Sequence, residues 1–169
     1  MGRLDVATLL LTETVQYSLH SNHKTVYVLL LDAQSAFDKI VRECAMNSAF
    51  LAGTCDQSLL YLDARLASRL TFPEWDKVLM GPIRDSLGLE QGGVNSDKLY
   101  KLCNNNQLSA AQLSQLGVDC GADVVSSIGL ADDTALVSDS IHKLANLVYL
   151  TEQYCSSYHV TLVPEKKNY

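Results

Sequence analysis

Positive charge is scarce in this chain. Thirteen lysines and arginines stand against nineteen aspartates and glutamates, giving a net charge of −6 and a pI near 5.0. A protein that grips nucleic acid by bulk charge alone is disfavoured, because a phosphate footprint normally needs a basic surface. Long apolar stretches are also missing. The longest covers residues 26–31, far short of the roughly 20 residues a membrane helix needs. No basic stretch leads into an apolar core and a small-residue cleavage site, so neither a secretory signal nor a membrane partner is expected. Paired cysteines are absent too. Cys44, Cys55, Cys103, Cys120 and Cys155 are odd in number, widely spaced and form no C-x-x-C. That argues against a disulfide framework or a zinc ribbon and for a reducing, intracellular setting. His20 and His23 are three apart, but no second ligand pair is close in sequence, so they read as loop residues. There is no internal repeat and no low-complexity linker.

What is present is core material. Hydrophobic residues make up 47% of the 169 and charged residues 19%. This is enough for one folded domain, or a large part of one, and excludes wholesale disorder. Leu4, Ala7, Leu11, Val15 and Leu19 recur at helical spacing and predict a helix ending near His20. Residues 26–31 are continuous, apolar and rich in strand formers, which predicts a strand covered on both faces. Ala36, Ile40, Cys44 and Ala45 suggest a helix. Leu59, Leu62, Leu66 and Leu70 suggest another, ended before Pro73. Residues 71–86 read as a short hairpin or irregular connection. A glycine-rich opening at residues 88–93 leads into a helix to about Cys103. A short helix over 109–116 is expected, capped by Gly117.

Residues 124–130 and 134–138 are strand-like and flank Asp132 and Asp133 at or beside a turn. Ile141, Leu144, Val148, Thr151, Cys155 and Tyr158 predict a helix, and residues 160–163 a last strand. The fold class is α+β: helices packed on a small, largely antiparallel sheet.

Three acids stand out by context. Asp32 ends the most apolar run, and Asp132 and Asp133 interrupt two apolar strands. A charge abutting a buried strand needs compensation. If the two segments are sheet neighbours, three carboxylates converge, and divalent cations would relieve their repulsion. Hard carboxylate oxygens suit Mg²⁺. Paired metals about 3.5–4 Å apart stabilise both the attacking and leaving oxygens of phosphoryl transfer. Taken singly, each Asp reads as an ordinary strand end or turn; together they point to a site.

Four segments carry a resemblance. Residues 31–40, Leu-Asp-Ala-Gln-Ser-Ala-Phe-Asp-Lys-Ile, resemble motif A of reverse transcriptases of the non-LTR retrotransposon kind, with its Asp-x-x-x-Ala-Phe-Asp pattern. Residues 88–96, Gly-Leu-Glu-Gln-Gly-Gly-Val-Asn-Ser, resemble motif B. Residues 128–134, Ile-Gly-Leu-Ala-Asp-Asp-Thr, resemble motif C, and residues 154–167 are similar to motif D. All four occur in the family's order. The resemblance delimits motif A as 26–40, motif B as 88–103, motif C as 124–138 and motif D as 140–167, within one partial palm domain over 1–169.

The resemblance implies a polymerase palm with fingers and thumb largely missing. Asp32 and Asp132 would be metal ligands whose carboxylates share a cation. Asp133 would be the auxiliary acid, and Ala33 would add its carbonyl. Phe37 would sit under the sugar and exclude a 2′-hydroxyl, the group that separates RNA from DNA. Gln91 and Gly92 would lie near the incoming nucleotide. Gly93 and Ser96 would face the template, with Ser96 alternatively capping the helix. Lys166 would act near the leaving pyrophosphate, with Lys167 as the competing register. Asp38 reads as structural.

The implied cofactor is a pair of Mg²⁺ ions, with Mn²⁺ as an alternative. The implied partners are an RNA template with a DNA primer and a deoxynucleoside triphosphate. The cytoplasm or nucleus follows by analogy. The sequence departs from the pattern in having Asp97 where a proline is common after motif B, Leu130 where an aromatic is common before the acidic pair, and Asn168 after the motif D lysines. Two readings therefore stand: RNA-templated DNA synthesis, or a truncated, inactive retroelement fragment that at most binds RNA or a partner.

Overall fold

The computed structural model describes residues 3–21, 25–34, 36–84, 87–90, 93, 95–130, 133–157 and 161–164. In chain order the elements are α1 (Arg3–Ser21), β1 (Tyr27–Gln34), α2 (Ala36–Lys39), α3 (Arg42–Leu51) and α4 (Asp56–Ala67). Four two-residue strands follow: β2 (Leu70–Thr71), β3 (Glu74–Trp75), β4 (Val78–Leu79) and β5 (Ile83–Arg84). Then come α5 (Ser96–Leu113), β6 (Val118–Asp119), β7 (Val124–Val125), β8 (Ser127–Leu130), β9 (Asp133–Ser138), α6 (Ile141–Ser157) and β10 (Thr161–Pro164). Among the described residues no helix is long and apolar enough to cross a membrane.

The chain divides into two compact units. One comprises residues 1–35 and 104–169, the other residues 36–103. The first is built on a four-stranded sheet of order β10-β1-β9-β8, antiparallel at every pairing. This is the small antiparallel sheet that the apolar runs predict. Tyr27 pairs with Ser138 and Leu31 with Thr134, so strands a hundred residues apart are neighbours.

Because side chains alternate along a strand, the sheet has two apolar faces. On one, Leu31 and Leu136 pack with Leu144 and Leu147 of α6 and Ala111 of α5. On the other, Ile128, Ala135 and Val137 pack with Val118, and Ala7 and Leu11 of α1 close over them. Leu136, Leu147 and Val137 are fully buried, each stabilising the fold by about 1.5–3 kcal/mol relative to exposure.

Hydroxyls and one amide tie the connections down. Ser127 Oγ donates to the Leu108 carbonyl at 3.1 Å, and Ser138 Oγ to that of Leu116 at 2.7 Å. The strand expected over 124–130 is broken at Ser126, where β7 pairs with β6 and β8 with β9. The Gln112 side chain bridges the break. Its Nε2 donates to the Val124 carbonyl and its Oε1 accepts from the Ser126 N–H. A Cβ on Gly117 would fall inside the Val125 carbonyl, so this glycine serves close backbone approach rather than the helix cap the sequence suggests.

The second unit holds α2 to β5 and the start of α5. Its buried side chains include Ile40, Ala45, Ala49, Leu89, Leu99 and Tyr100. The helix expected after β1 is two helices. The Ile40 carbonyl accepts from the Gly88 N–H at 2.9 Å instead of continuing a helical ladder. Residues 70–84 form two nested hairpins, β2 with β5 and β3 with β4. Asp76 and Lys77, at φ 48° and 63°, make the inner turn, and two positive φ values match the twist of a tight hairpin.

The helix expected from the glycine-rich segment begins at Ser96, and the short helix expected over 109–116 is its continuation to Leu113. His20 also differs from expectation. It lies in the last turn of α1, where its Nδ1 donates to the Gln16 carbonyl at 2.8 Å.

Candidate active site

The sheet register brings acidic residues level. In β1, Leu31 is buried and Asp32 is exposed. In β9, Thr134 is buried and Asp133 is exposed. Leu31 pairs with Thr134, so one step further along the same register sets Asp32 opposite Asp133. Opposed residues of an antiparallel pair share a face, with Cβ atoms about 4.5–5.5 Å apart. Leu30 and Ala135 precede them on that face. The other edge of β1 is held by β10, where Asp32 pairs with Val163 and Ala33 with Leu162. The apolar run before Asp32 thus anchors a strand whose end presents a carboxylate to solvent.

Two hard oxygen donors on one face fit a divalent cation. Among the described residues no group of three His, Cys, Asp or Glu side chains is placed to hold a metal. Asp132, the expected third acid, lies outside the described residues, as do Gln91, Gly92 and both candidate lysines, Lys166 and Lys167. Ala33 is placed by its backbone in β1.

The other described site residues belong to the second unit. Phe37 is half-buried on α2, and its ring centroid lies 4.8 Å from that of Tyr100, tilted by 33°. The Phe37 carbonyl accepts from the Leu89 N–H at 2.6 Å. Gly88 has φ +79°, and a Cβ there would approach the Asp38 carbonyl oxygen to 2.7 Å. Arg42 ties this junction together. Its Nε donates to the Gly88 carbonyl at 2.9 Å, one terminal nitrogen to Leu66 at 2.8 Å and the other to Leu87 at 3.2 Å.

Gly93 and Ser96 form the turn into α5. Ser96 is only 6% exposed; its N–H donates to the Gly93 carbonyl at 3.0 Å, and its Oγ lies 2.8 Å from where a Gly93 Cβ would be. A cavity of about 250 Å³ adjoins this turn. It is lined by Leu62, Arg65, Leu66, Arg69, Leu70, Glu90, Gly93, Asn95, Ser96 and Leu99.

Sequence reasoning missed Arg42 and Tyr100. Arg42 lies just outside motif A, and Tyr100 lies within motif B but beyond its glycine-rich core. The available signals were a lone arginine opening an apolar helix and a tyrosine four residues after Ser96.

An antiparallel sheet of this order, covered by helices on both faces, has the fold of a polymerase palm. The sequence matches the reverse transcriptase (RNA-dependent DNA polymerase) family over residues 5–169, and the chain belongs to that family. Among solved structures it is similar to apo telomerase from Candida tropicalis truncated from its C-terminal domain. The TM-score is 0.63 at 13% identity, over 99% of this chain and 36% of that one. At that identity the likeness is one of fold. No curated protein matches the sequence.

Proposed function

We propose that the chain is the palm region of a reverse transcriptase of the non-LTR retrotransposon kind, and that it copies RNA into DNA by adding deoxynucleotides to a primer 3′-hydroxyl. The observation that carries this reading is the pairing of Leu31 with Thr134, whose continuation by one step would set Asp32 opposite Asp133 on one face of the sheet, within a chain of this family. Motif A then comprises residues 26–40, motif B 88–103, motif C 124–138 and motif D 140–167. The setting is intracellular.

Asp32, Asp132 and Asp133, with the Ala33 carbonyl, would hold two Mg²⁺ ions or Mn²⁺ in their place. When bound, the ions acidify the primer hydroxyl and neutralise the departing pyrophosphate. Phe37, five residues after Asp32, stacks on Tyr100, and a ring so backed resists displacement by a 2′-hydroxyl. Gln91 and Gly92, by their place in motif B, would serve the incoming nucleotide. Gly93 and Ser96 shape the template side of the turn into α5. β10 ends at Pro164, beside Leu31, and Lys166 follows two residues later to act on the leaving group. Catalysis is then positioning and charge stabilisation.

Primer extension on an RNA template with Mg²⁺ or Mn²⁺ tests the reading. Metal-dependent DNA synthesis is expected, with a loss of about 10²–10³-fold or more in Asp32→Asn and in Asp132→Asn, the scale on which removing one charge-stabilising group acts. The second reading is an inactive retroelement fragment that at most binds RNA or a partner. RNA binding without any synthesis would favour it.

A further inference from the structure

The nested hairpins over residues 70–84 turn an apolar face to solvent. We propose that this face is the contact between two copies of the chain, related by a two-fold axis. The inference is independent of the RNA-copying reading.

Alternation along the strands builds the face. Trp75 pairs with Val78, and the Met80 N–H donates to the Pro73 carbonyl at 2.8 Å, so the ladder runs on past β3 and β4. Opposed residues share a face, and every second residue returns to it. Pro73, Trp75, Val78 and Met80 therefore stand together. At the base Thr71 pairs with Ile83. One strand has an extra residue there, at Gly81 and Pro82, and such a bulge keeps Ile83 on the side of Met80. None of these face residues is charged. Trp75 is 79% exposed and Val78 65%, while Met80 and Ile83 are each more than half exposed. The charges of the segment lie off the face. Glu74 pairs with Leu79 and Arg84 with Leu70, and Asp76 and Lys77 form the turn.

A two-stranded ribbon of this size is marginal in water unless something packs on it. With no positive charge of its own, the face is a poor seat for a phosphate backbone. A second copy fits it in area and in charge. Trp75, Val78, Met80 and Ile83 expose on the order of 500 Å² of apolar surface. Two copies would then bury about 1,000 Å², which is the non-polar share of a standard interface of roughly 1,600 Å². An aromatic ring and a thioether among aliphatic side chains is the usual make-up of an interface centre. The chain's net charge of −6 pushes copies apart in general. Residues 70–84 are balanced, Glu74 and Asp76 against Lys77 and Arg84, so two copies can meet here without that repulsion. A two-fold axis needs only one patch, used twice.

Trp75 is the chain's single tryptophan, so its fluorescence reports on this face alone. The test is sedimentation velocity of the full chain over a concentration series, with tryptophan emission and acrylamide quenching recorded at each step. A monomer–dimer equilibrium is expected. Emission should move to the blue and quenching should fall along the same concentration curve, undiminished by molar salt. Val78→Arg places like charges in one interface. It is expected to weaken association about tenfold or more and to leave Trp75 quenchable at every concentration. Leu113→Ser removes an exposed leucine of the other unit and should associate like the wild type. A monomer throughout the series overturns the proposal. So does a dimer whose Trp75 stays quenchable, which puts the contact elsewhere; this readout needs no variant and holds even where Val78→Arg misfolds. Equal loss in Val78→Arg and Leu113→Ser overturns it too. A blue shift that appears only when single-stranded RNA is added to a monomer assigns the face to nucleic acid and overturns the second copy.

Discussion

Gly88 shows how one residue without a side chain can hold a junction. Its φ of +79° is a conformation L residues rarely adopt, and a Cβ would press to 2.7 Å on the Asp38 carbonyl. Its N–H and carbonyl are both used, by Ile40 and Arg42. Gly88→Ala is expected to cost about 2–3 kcal/mol, the sum of left-handed strain and a backbone shift, read as a lower urea midpoint. An unchanged midpoint would show that the segment relaxes freely.

The thiols make a second residue-scale prediction. Burial pushes Cys155 up to about 11 and raises Cys44, Cys103 and Cys120 as well. Cys55, fully exposed before α4, is lowered by hydrogen bonds with Ser58. Alkylation followed by mass mapping should therefore modify Cys55 first, at a pH below the ordinary thiol range. Cys155 also links folding to pH. Its folded value lies above its ordinary 9.0, so its contribution is intact below about 9 and fades as pH climbs towards about 11. Urea midpoints that rise with alkali would contradict this sign.

At the scale of elements, the strands of the main sheet were legible because their signal is local. Residues 26–31 are apolar without interruption, and the runs on either side of Asp132 and Asp133 match β8 and β9. The same clarity made Asp32 stand out, although alone it reads as an ordinary strand end and only its company with Asp132 and Asp133 pointed to a site. The helices were less legible where a distant partner decides their ends. Nothing within residues 36–45 announces that the Ile40 carbonyl will be taken by Gly88, so α2 and α3 read as one helix. Conversely, the polar stretch Asn104, Asn105, Asn106 and Gln107 reads as a gap between helices. Gln107 is in fact buried, and Cys155 of α6 donates a weak S–H bond to it at 3.8 Å. A buried polar contact with α6 keeps α5 continuous where composition argues for a loop. The β7–β8 break was hidden for the same reason, because its bridge is Gln112 of a different element. Arg42 was hidden because it bonds to the carbonyls of Gly88, Leu66 and Leu87, and backbone acceptors leave no trace in side-chain patterns.

Over the whole molecule the two units differ in what holds them. The sheet unit has apolar layers on both faces, and β9 is buried at every position from Thr134 to Ser138. In the other unit α4 has no buried residue. All eight residues of β2 to β5 are exposed, including Trp75 at 79%. Two-stranded ribbons of this size are marginal on their own in water, and segments with few buried contacts open at low free energy. Native-state hydrogen exchange should therefore be graded. Amides of β1 and β9 are expected to exchange only with global opening, while those of α4 and the nested hairpins exchange by local opening, about 10²-fold or more faster, which corresponds to about 2.7 kcal/mol or more. Equal protection in both regions would mean that the exposed strands are held by contacts the fold does not reveal.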